Sequence, residues 1–296
     1  MTAIAFIGLG NMGTPMAQRL LAAGHTVRGF DLAEPARARL TEAGGTSCAS
    51  PAEAVAGASA VILMLPNSDV VEGVITSPEV NAELATDTLV IDMSSSEPLR
   101  SRALEQHLRQ KGIRFVDAPV SGGVKGAEDG ALTVMTGGTD ENVAEAAAIL
   151  SCFGTVKRAG QVGAGHAAKA LNNLMSATHL LVSSEAILAG QSFGVAPELL
   201  LQIVNGSSGK SGSTENKWPN FILPGTYDSG FALKLMLKDM KIAVDLADQV
   251  HAASRLSHAA VQLWEEASAE LPDNADHTEI ARWVAATSQQ AAVSQR

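Results

Sequence analysis

Short apolar runs alternate with amphipathic stretches through the first half of the chain, and that alternation predicts a mostly parallel sheet covered by helices on both faces. Residues 4–7, 26–30, 60–64, 88–92, 114–118, 132–135 and 155–157 read as strands, with helical patterns at 12–23, 98–111 and 141–150. The strand pattern stops at Gly163. From there, residues 164–190 read as one helix, apolar on most faces. His166, Lys169, Asn172, Asn173, His179 and Glu185 interrupt it too often for a membrane span of about 20 apolar residues. A buried central helix is the better reading. The Gly- and Ser-rich stretch 205–213 and the following Lys217-Trp218-Pro219-Asn220 read as loop by composition, and 232–253 as a further helix.

A length of 296 residues suits two domains at roughly 100 to 200 residues each. The expected fold is therefore α/β: a Rossmann-like, doubly wound sheet over 1–162, then an all-α second domain over 163–296, joined by the long central helix. With 46% hydrophobic and 18% charged residues the chain is globular rather than disordered. Its net charge of −10 argues against nucleic acid, which is bound through an excess of Lys and Arg, but leaves small anions open as ligands. Cys48 and Cys152 are far apart and lack CxxC spacing, so neither a metal site nor a disulfide is expected, and a reducing cytoplasm fits. The first residues lack the basic region and cleavage site of a secretory signal, so no leader is expected.

Gly8-Leu9-Gly10-Asn11-Met12-Gly13 follows the first strand and opens a helix, which is GxGxxG in the context that gives the pattern meaning. In that context it binds a dinucleotide pyrophosphate, although a plain tight turn would use the same glycines. Asp31, eighteen residues past Gly13 at the end of the second strand, is placed to accept hydrogen bonds from ribose hydroxyls. Its charge would repel a 2′-phosphate, so NAD is expected over NADP, with Leu32 beside it. The first domain is thus read as NAD-binding. Leu65-Pro66-Asn67 and Ser94-Ser95-Ser96 also follow strands, at the sheet edge where ligands of this fold sit, although such residues are equally common in ordinary turns.

Ser121-Gly122-Gly123 follows another strand and could offer backbone N–H groups and a hydroxyl to a carboxylate, or simply supply positive-φ glycines. Lys169, Asn172 and Asn173 fall at i, i+3 and i+4 on one helical face. A lysine there could serve as the acid or base for an alcohol proton, with Asn173 holding it or the substrate oxygen. The alternative is a surface lysine lying along the helix. His166 reads as structural. Lys238 beside Asp239 could reach the cofactor or form a surface ion pair, and Trp218 and Phe231 could wall the substrate pocket or pack the core.

In order and spacing, FIGLGNMGTPMAQRL, DAPVSGGVKGAEDGAL, GAGHAAKALNN and LKDM resemble the β-hydroxyacid dehydrogenase family, and within it the 3-hydroxyisobutyrate dehydrogenases. The likeness spans nearly the whole chain. It implies an oxidoreductase moving a hydride between NAD and the alcohol carbon of a small 3-hydroxy acid, or its aldehyde, with the second domain serving substrate and oligomerisation in a homodimer or homotetramer. It marks Lys169 as acid/base with Asn173 as its neighbour, Ser121, Gly122 and Gly123 as the carboxylate loop, Leu65, Pro66 and Ser95 as cofactor contacts, and Lys238 as the lysine near the nicotinamide. 3-Hydroxyisobutyrate is the expected substrate, and a tartronate semialdehyde reductase, which shares all four blocks, is the alternative. Non-catalytic relatives and imine reductases usually carry another residue at the lysine position, so Lys169 disfavours both. The Ser/Gly stretch before Trp218 is longer than is usual in the family, which leaves room for a longer or more polar acid.

Overall fold

The computed structural model describes residues 2–294. Among the described residues nine strands run in chain order as β1 (Ala3–Ile7), β2 (Thr26–Phe30), β3 (Thr46–Ser47), β4 (Ala60–Leu63), β5 (Leu89–Asp92), β6 (Arg114–Asp117), β7 (Val120–Ser121), β8 (Leu132–Gly137) and β9 (Gly154–Gly160). In the sheet their order is β3-β2-β1-β4-β5-β6-β8-β7, with β9 on β8. The pairs from β3 to β6 are all parallel, and β8 runs antiparallel to β6 and β7. The chain winds outward from β1 to β3 and then crosses back to β4. That reversal beside β1 is the switch point at whose carboxyl edge ligands of doubly wound sheets bind.

The central strands β1, β4 and β5 are buried almost throughout, covered on both faces of the sheet, which is why they read as unbroken apolar runs. Ile4 and Phe6 of β1 and Ile62 of β4 enter one core, while Ala5, Ile7, Val61 and Leu63 enter the other. The helices that supply this cover are α1 (Gly13–Ala22), α2 (Glu34–Glu42), α3 (Pro51–Val55), α4 (Ser68–Ile75), α5 (Pro78–Glu83), α6 (Pro98–Arg109), α7 (Gly123–Asp129) and α8 (Asp140–Leu150). The two-residue strands β3 and β7 lie outside the seven expected runs, because two residues are too few to carry a period.

The chain divides into two compact units after Lys169, seven residues beyond the expected change at 162/163. The next helix, α9 (Ala164–Phe193), crosses that point unbroken. Its first turn belongs with the sheet because the amides of Gly163 and His166 donate to Asp117 at the end of β6. The second unit continues with α10 (Pro197–Asn205), a wide helix Ser213–Ile222, α11 (Leu233–Gln249), α12 (Arg255–Glu270) and α13 (Ile280–Ser294), around a core that includes Leu180, Trp218, Met240 and Trp264.

The expected loop at Lys217-Trp218-Pro219-Asn220 is instead helical, with the π-type spacing seen where Leu223 N donates to Trp218 O, five residues back. Pro219 removes one amide from this ladder. Thr214, Trp218 and Ile222, four residues apart, are all buried on its inner face, and that burial outweighs a composition typical of loops. Among the described residues no helix is long and apolar enough to cross a membrane.

Candidate active site

The glycine turn after β1 uses its three glycines for three different reasons. Gly8 has φ +97°, and a Cβ there would lie 2.2 Å from Met64 O. A Cβ on Gly13 would lie 1.9 Å from Gly8 O, so the strand and α1 could not pack as they do. Gly10 is different. Nothing lies within 4 Å of its Cβ position, and the residue is exposed. The protein's own packing fixes the outer two glycines, whereas the middle one keeps open space beside the backbone, as a pyrophosphate requires. No side chain caps α1; in its first turn Thr14 N donates to Gly10 O at 3.0 Å and Pro15 carries no amide proton. Asn11 is exposed here, and Met12 packs against the sheet core.

Asp31 is tied to this turn. Its Oδ2 accepts from Leu9 N at 2.7 Å and its Oδ1 from Ala33 N at 2.8 Å, which fixes the carboxylate at the end of β2. Next to it Leu32 is 90% exposed, an apolar side chain available to the face of a flat ring. Arg37 Nη1 donates to the carbonyls of Asp31 and Leu32 at 2.5 and 3.2 Å.

The loops after β4 and β5 are joined by Leu65 N donating to Ser94 Oγ at 2.9 Å. Pro66 is exposed, and Asn67 caps α4 through Oδ1 accepting from Val70 N at 3.0 Å. Half-buried Ser95 lies between the buried Ser94 and Ser96. The serine turn is organised by Asp92, whose Oδ1 accepts from Ser94 N at 3.0 Å and Oδ2 from Ser96 Oγ at 2.7 Å. Sequence reasoning passed over Asp92, because an acid closing an apolar run reads simply as the strand's end.

Asp117, its register partner on β6, was passed over for the same reason. It is fully buried, and burial raises its carboxyl pKa above the ordinary value. Gly163 N and His166 N donate to it at 2.7 and 3.0 Å, so it caps the start of α9. A few residues on, half-buried Ser121 leads into exposed Gly122 and Gly123, with φ +135° and +67°. Lys169 is half-buried one turn past His166 on α9.

Thus the glycine turn, Asp31, Leu65-Pro66-Asn67, Ser95 and Ser121-Gly122-Gly123 each follow the carboxyl end of a strand, and the helix bearing Lys169 starts on Asp117 at the same edge.

In the second unit, Asn173 is buried and donates through Nδ2 to Asp239 Oδ2 at 2.7 Å, while the exposed Asn172 donates to Asn173 Oδ1 at 3.2 Å. Lys238 Nζ is 3.2 Å from Asp239 Oδ1. Asp239 itself is only 2% exposed, a burial foreshadowed by its i+3 spacing from Met236 on the inner face of α11. Trp218 lies in the apolar core of this unit, and half-buried Phe231 packs edge-on to His277. Among the described residues there is no cluster of ligands that could hold a metal ion.

Comparisons with known proteins cover almost the whole chain. A family profile described as the NAD binding domain of 6-phosphogluconate dehydrogenase matches residues 3–169. Another, described as NAD-binding of NADP-dependent 3-hydroxyisobutyrate dehydrogenase, matches residues 163–284. The 3-sulfolactaldehyde reductase of Escherichia coli (strain K12) is 37% identical over 271 residues, 91% of either chain. Mitochondrial 3-hydroxyisobutyrate dehydrogenase of Homo sapiens is 36% identical over 89% of this chain and 81% of its own. The structure of Mycobacterium tuberculosis 3-hydroxyisobutyrate dehydrogenase with L-serine superposes with a TM-score of 0.90 at 33% identity, covering 96% of this chain and 99% of that one.

Proposed function

The chain belongs to the β-hydroxyacid dehydrogenase family, and from that premise we propose that it oxidises the alcohol of a small carboxylate-bearing 3-hydroxy acid, or reduces the matching aldehyde, with 3-hydroxyisobutyrate its first-choice substrate. It is an oxidoreductase that works with a nicotinamide cofactor. The observation that carries the reading is the position of Lys169, on a helix whose start is bonded to the same strand edge as the glycine turn and the Ser121 loop.

The residues fit the cofactor. Gly10 leaves the space a pyrophosphate would fill, Asp31 stands ready for ribose hydroxyls, Leu32 for the adenine face, and Leu65, Pro66, Asn67 and Ser95 would line the remainder. When bound, the nicotinamide supplies the acceptor for the hydride, or its donor in reverse. We assign NAD rather than NADP, because the fixed Asp31 carboxylate would repel a 2′-phosphate and because Arg37 is engaged on backbone carbonyls.

Ser121 Oγ and the amides of Gly122 and Gly123 hold the substrate carboxylate, which leaves the hydroxyl for Lys169. Lys169 takes the hydroxyl proton as the adjacent C–H bond breaks, and returns that proton in the reducing direction. Asn173, one turn further along α9 with its carboxamide locked by Asp239, keeps the lysine or the substrate oxygen in register. Two free cysteines, distant in sequence, favour a reducing compartment such as the cytoplasm.

Self-association is part of the proposal. Leu171, Met175, Val182 and Phe193 lie on one stripe of α9, each 41–89% exposed, and apolar surface of this kind is normally covered by a partner. A second copy of the chain, in a dimer or tetramer, is the expected cover.

The test follows absorbance of the reduced cofactor with NAD or NADP and 3-hydroxyisobutyrate, glycerate, serine, threonate or 4-hydroxybutyrate, and with tartronate semialdehyde in reverse. An NAD-dependent rate greatest with 3-hydroxyisobutyrate is expected. A greatest rate with tartronate semialdehyde would move the assignment to the alternative, and silence across the panel would defeat it.

A further inference from the structure

The first turn of α9 is gripped from three sides. Asp117 on β6 holds it through the amides of Gly163 and His166. Glycines bring it flush against its neighbours: a Cβ on Gly165 would lie 2.3 Å from Met135 O, and one on Gly163 2.6 Å from Pro98 O. The third grip is the His166 ring, only 1% exposed. Its Nδ1 is 2.8 Å from Ser101 Oγ on α6, and its Nε2 is 3.7 Å from Asp92 Oδ2 at the end of β5. Ser101 Oγ also donates to Glu97 O, which ties the ring to the start of α6, while Nε2 has no hydrogen-bond partner among the described residues. His166 thereby meets both buried carboxylates, its backbone on Asp117 and its ring beside Asp92, the acid that also shapes the Ser94–Ser96 turn.

We propose that His166 and Asp117 are positioning residues for Lys169, setting the height and rotation of α9 relative to the cofactor and substrate loops at the strand ends. Residues three apart on a helix differ by about 60° and 4.5 Å, so any slip at His166 is passed on to the lysine. The inference rests on the assignment of Lys169 as acid/base. It adds that the lysine's competence depends on a side-chain network that touches neither substrate nor cofactor. A displacement of about 1 Å at a reacting group lowers rate by as much as about 10².

The experiment compares His166→Ala, His166→Asn, Ser101→Ala, Lys169→Ala and the His166→Ala/Lys169→Ala double variant, using NAD and the panel acid oxidised fastest, together with NADH titration by fluorescence. His166→Ala is expected to lower kcat by roughly 10- to 100-fold, with NADH affinity and KM for the acid within about threefold of wild type. His166→Asn, which keeps a hydrogen-bonding group near the Nδ1 position, should restore most of the rate. Ser101→Ala, the milder probe should His166→Ala fold poorly, should lose about three- to tenfold. Because the network acts through the lysine, the double variant should be no slower than Lys169→Ala alone. Wild-type kcat in both His166→Ala and Ser101→Ala, or losses that multiply in the double variant, would overturn the inference while leaving the lysine's role intact. A Lys169→Ala variant with full turnover, or a wild type silent on the whole panel, would overturn the functional reading and this inference with it.

Discussion

Asn173 donates a 2.7 Å hydrogen bond to Asp239, and both side chains are buried. A buried carboxylate that loses such a donor is left undersolvated, and the loss exceeds that of an ordinary hydrogen bond. Asn173→Ala should therefore lower stability by about 2 to 4 kcal/mol, measured as a fall in the urea midpoint. Asp239→Asn, which removes the charge and keeps an acceptor, should lower it less. Equal and negligible effects would mean that the pair contributes little.

The glycine turn offers a contrast between neighbours. Gly8→Ala forces a side chain into a positive-φ position against Met64 O and should destabilise the fold by about 2 to 4 kcal/mol. Gly10→Val meets open space, so thermal unfolding should be nearly unchanged while NADH affinity falls at least about tenfold. Tight NADH binding by Gly10→Val would refute the placement of the pyrophosphate.

Burial, reinforced by nearby Lys217, pushes the His277 imidazole down to about 4, against an ordinary value of 6.5. With its pKa lower in the folded state, the neutral ring is the stabilising form. That contribution is complete above about pH 6.5 and is lost as pH falls toward 4, because the unfolded chain binds the proton first. Between pH 8 and 4.5 the loss should be about 2 to 3 kcal/mol. His277→Gln should flatten the pH dependence of the urea midpoint by that amount. An identical slope in variant and wild type would contradict it.

If α9 is covered by a second copy, a charge on its outer stripe should separate the copies without unfolding them. Met175→Glu and Phe193→Asp should shift the light-scattering mass towards that of the monomer, with circular dichroism unchanged. A wild-type chain that already scatters as a monomer would remove the claim.

Much of this was legible before any coordinates. Alternation in the first half of the chain located seven strands, most plainly β1, β4 and β5, where residues buried on both faces leave apolar runs that stand out. The glycine turn, Asp31 and the Lys169 face stand out as candidates because each is marked by local spacing. Asp92 and Asp117 do not stand out, and His166 reads only as structural, since what joins the three is strand register and the approach of α6 to α9, neither of which has a local signature. Residues 217–220 misled for the opposite reason. Proline and polar neighbours announce a loop, while the buried face formed by Thr214, Trp218 and Ile222 acts through tertiary packing.

The central claim is that Lys169 moves the proton while other residues hold the cofactor. It is tested most directly by measuring, on one preparation of Lys169→Ala, both kcat with the acid that wild type oxidises fastest and the dissociation constant for NADH. The account predicts a kcat about 10² to 10⁴ lower with NADH binding unchanged. Wild-type turnover by Lys169→Ala would contradict it.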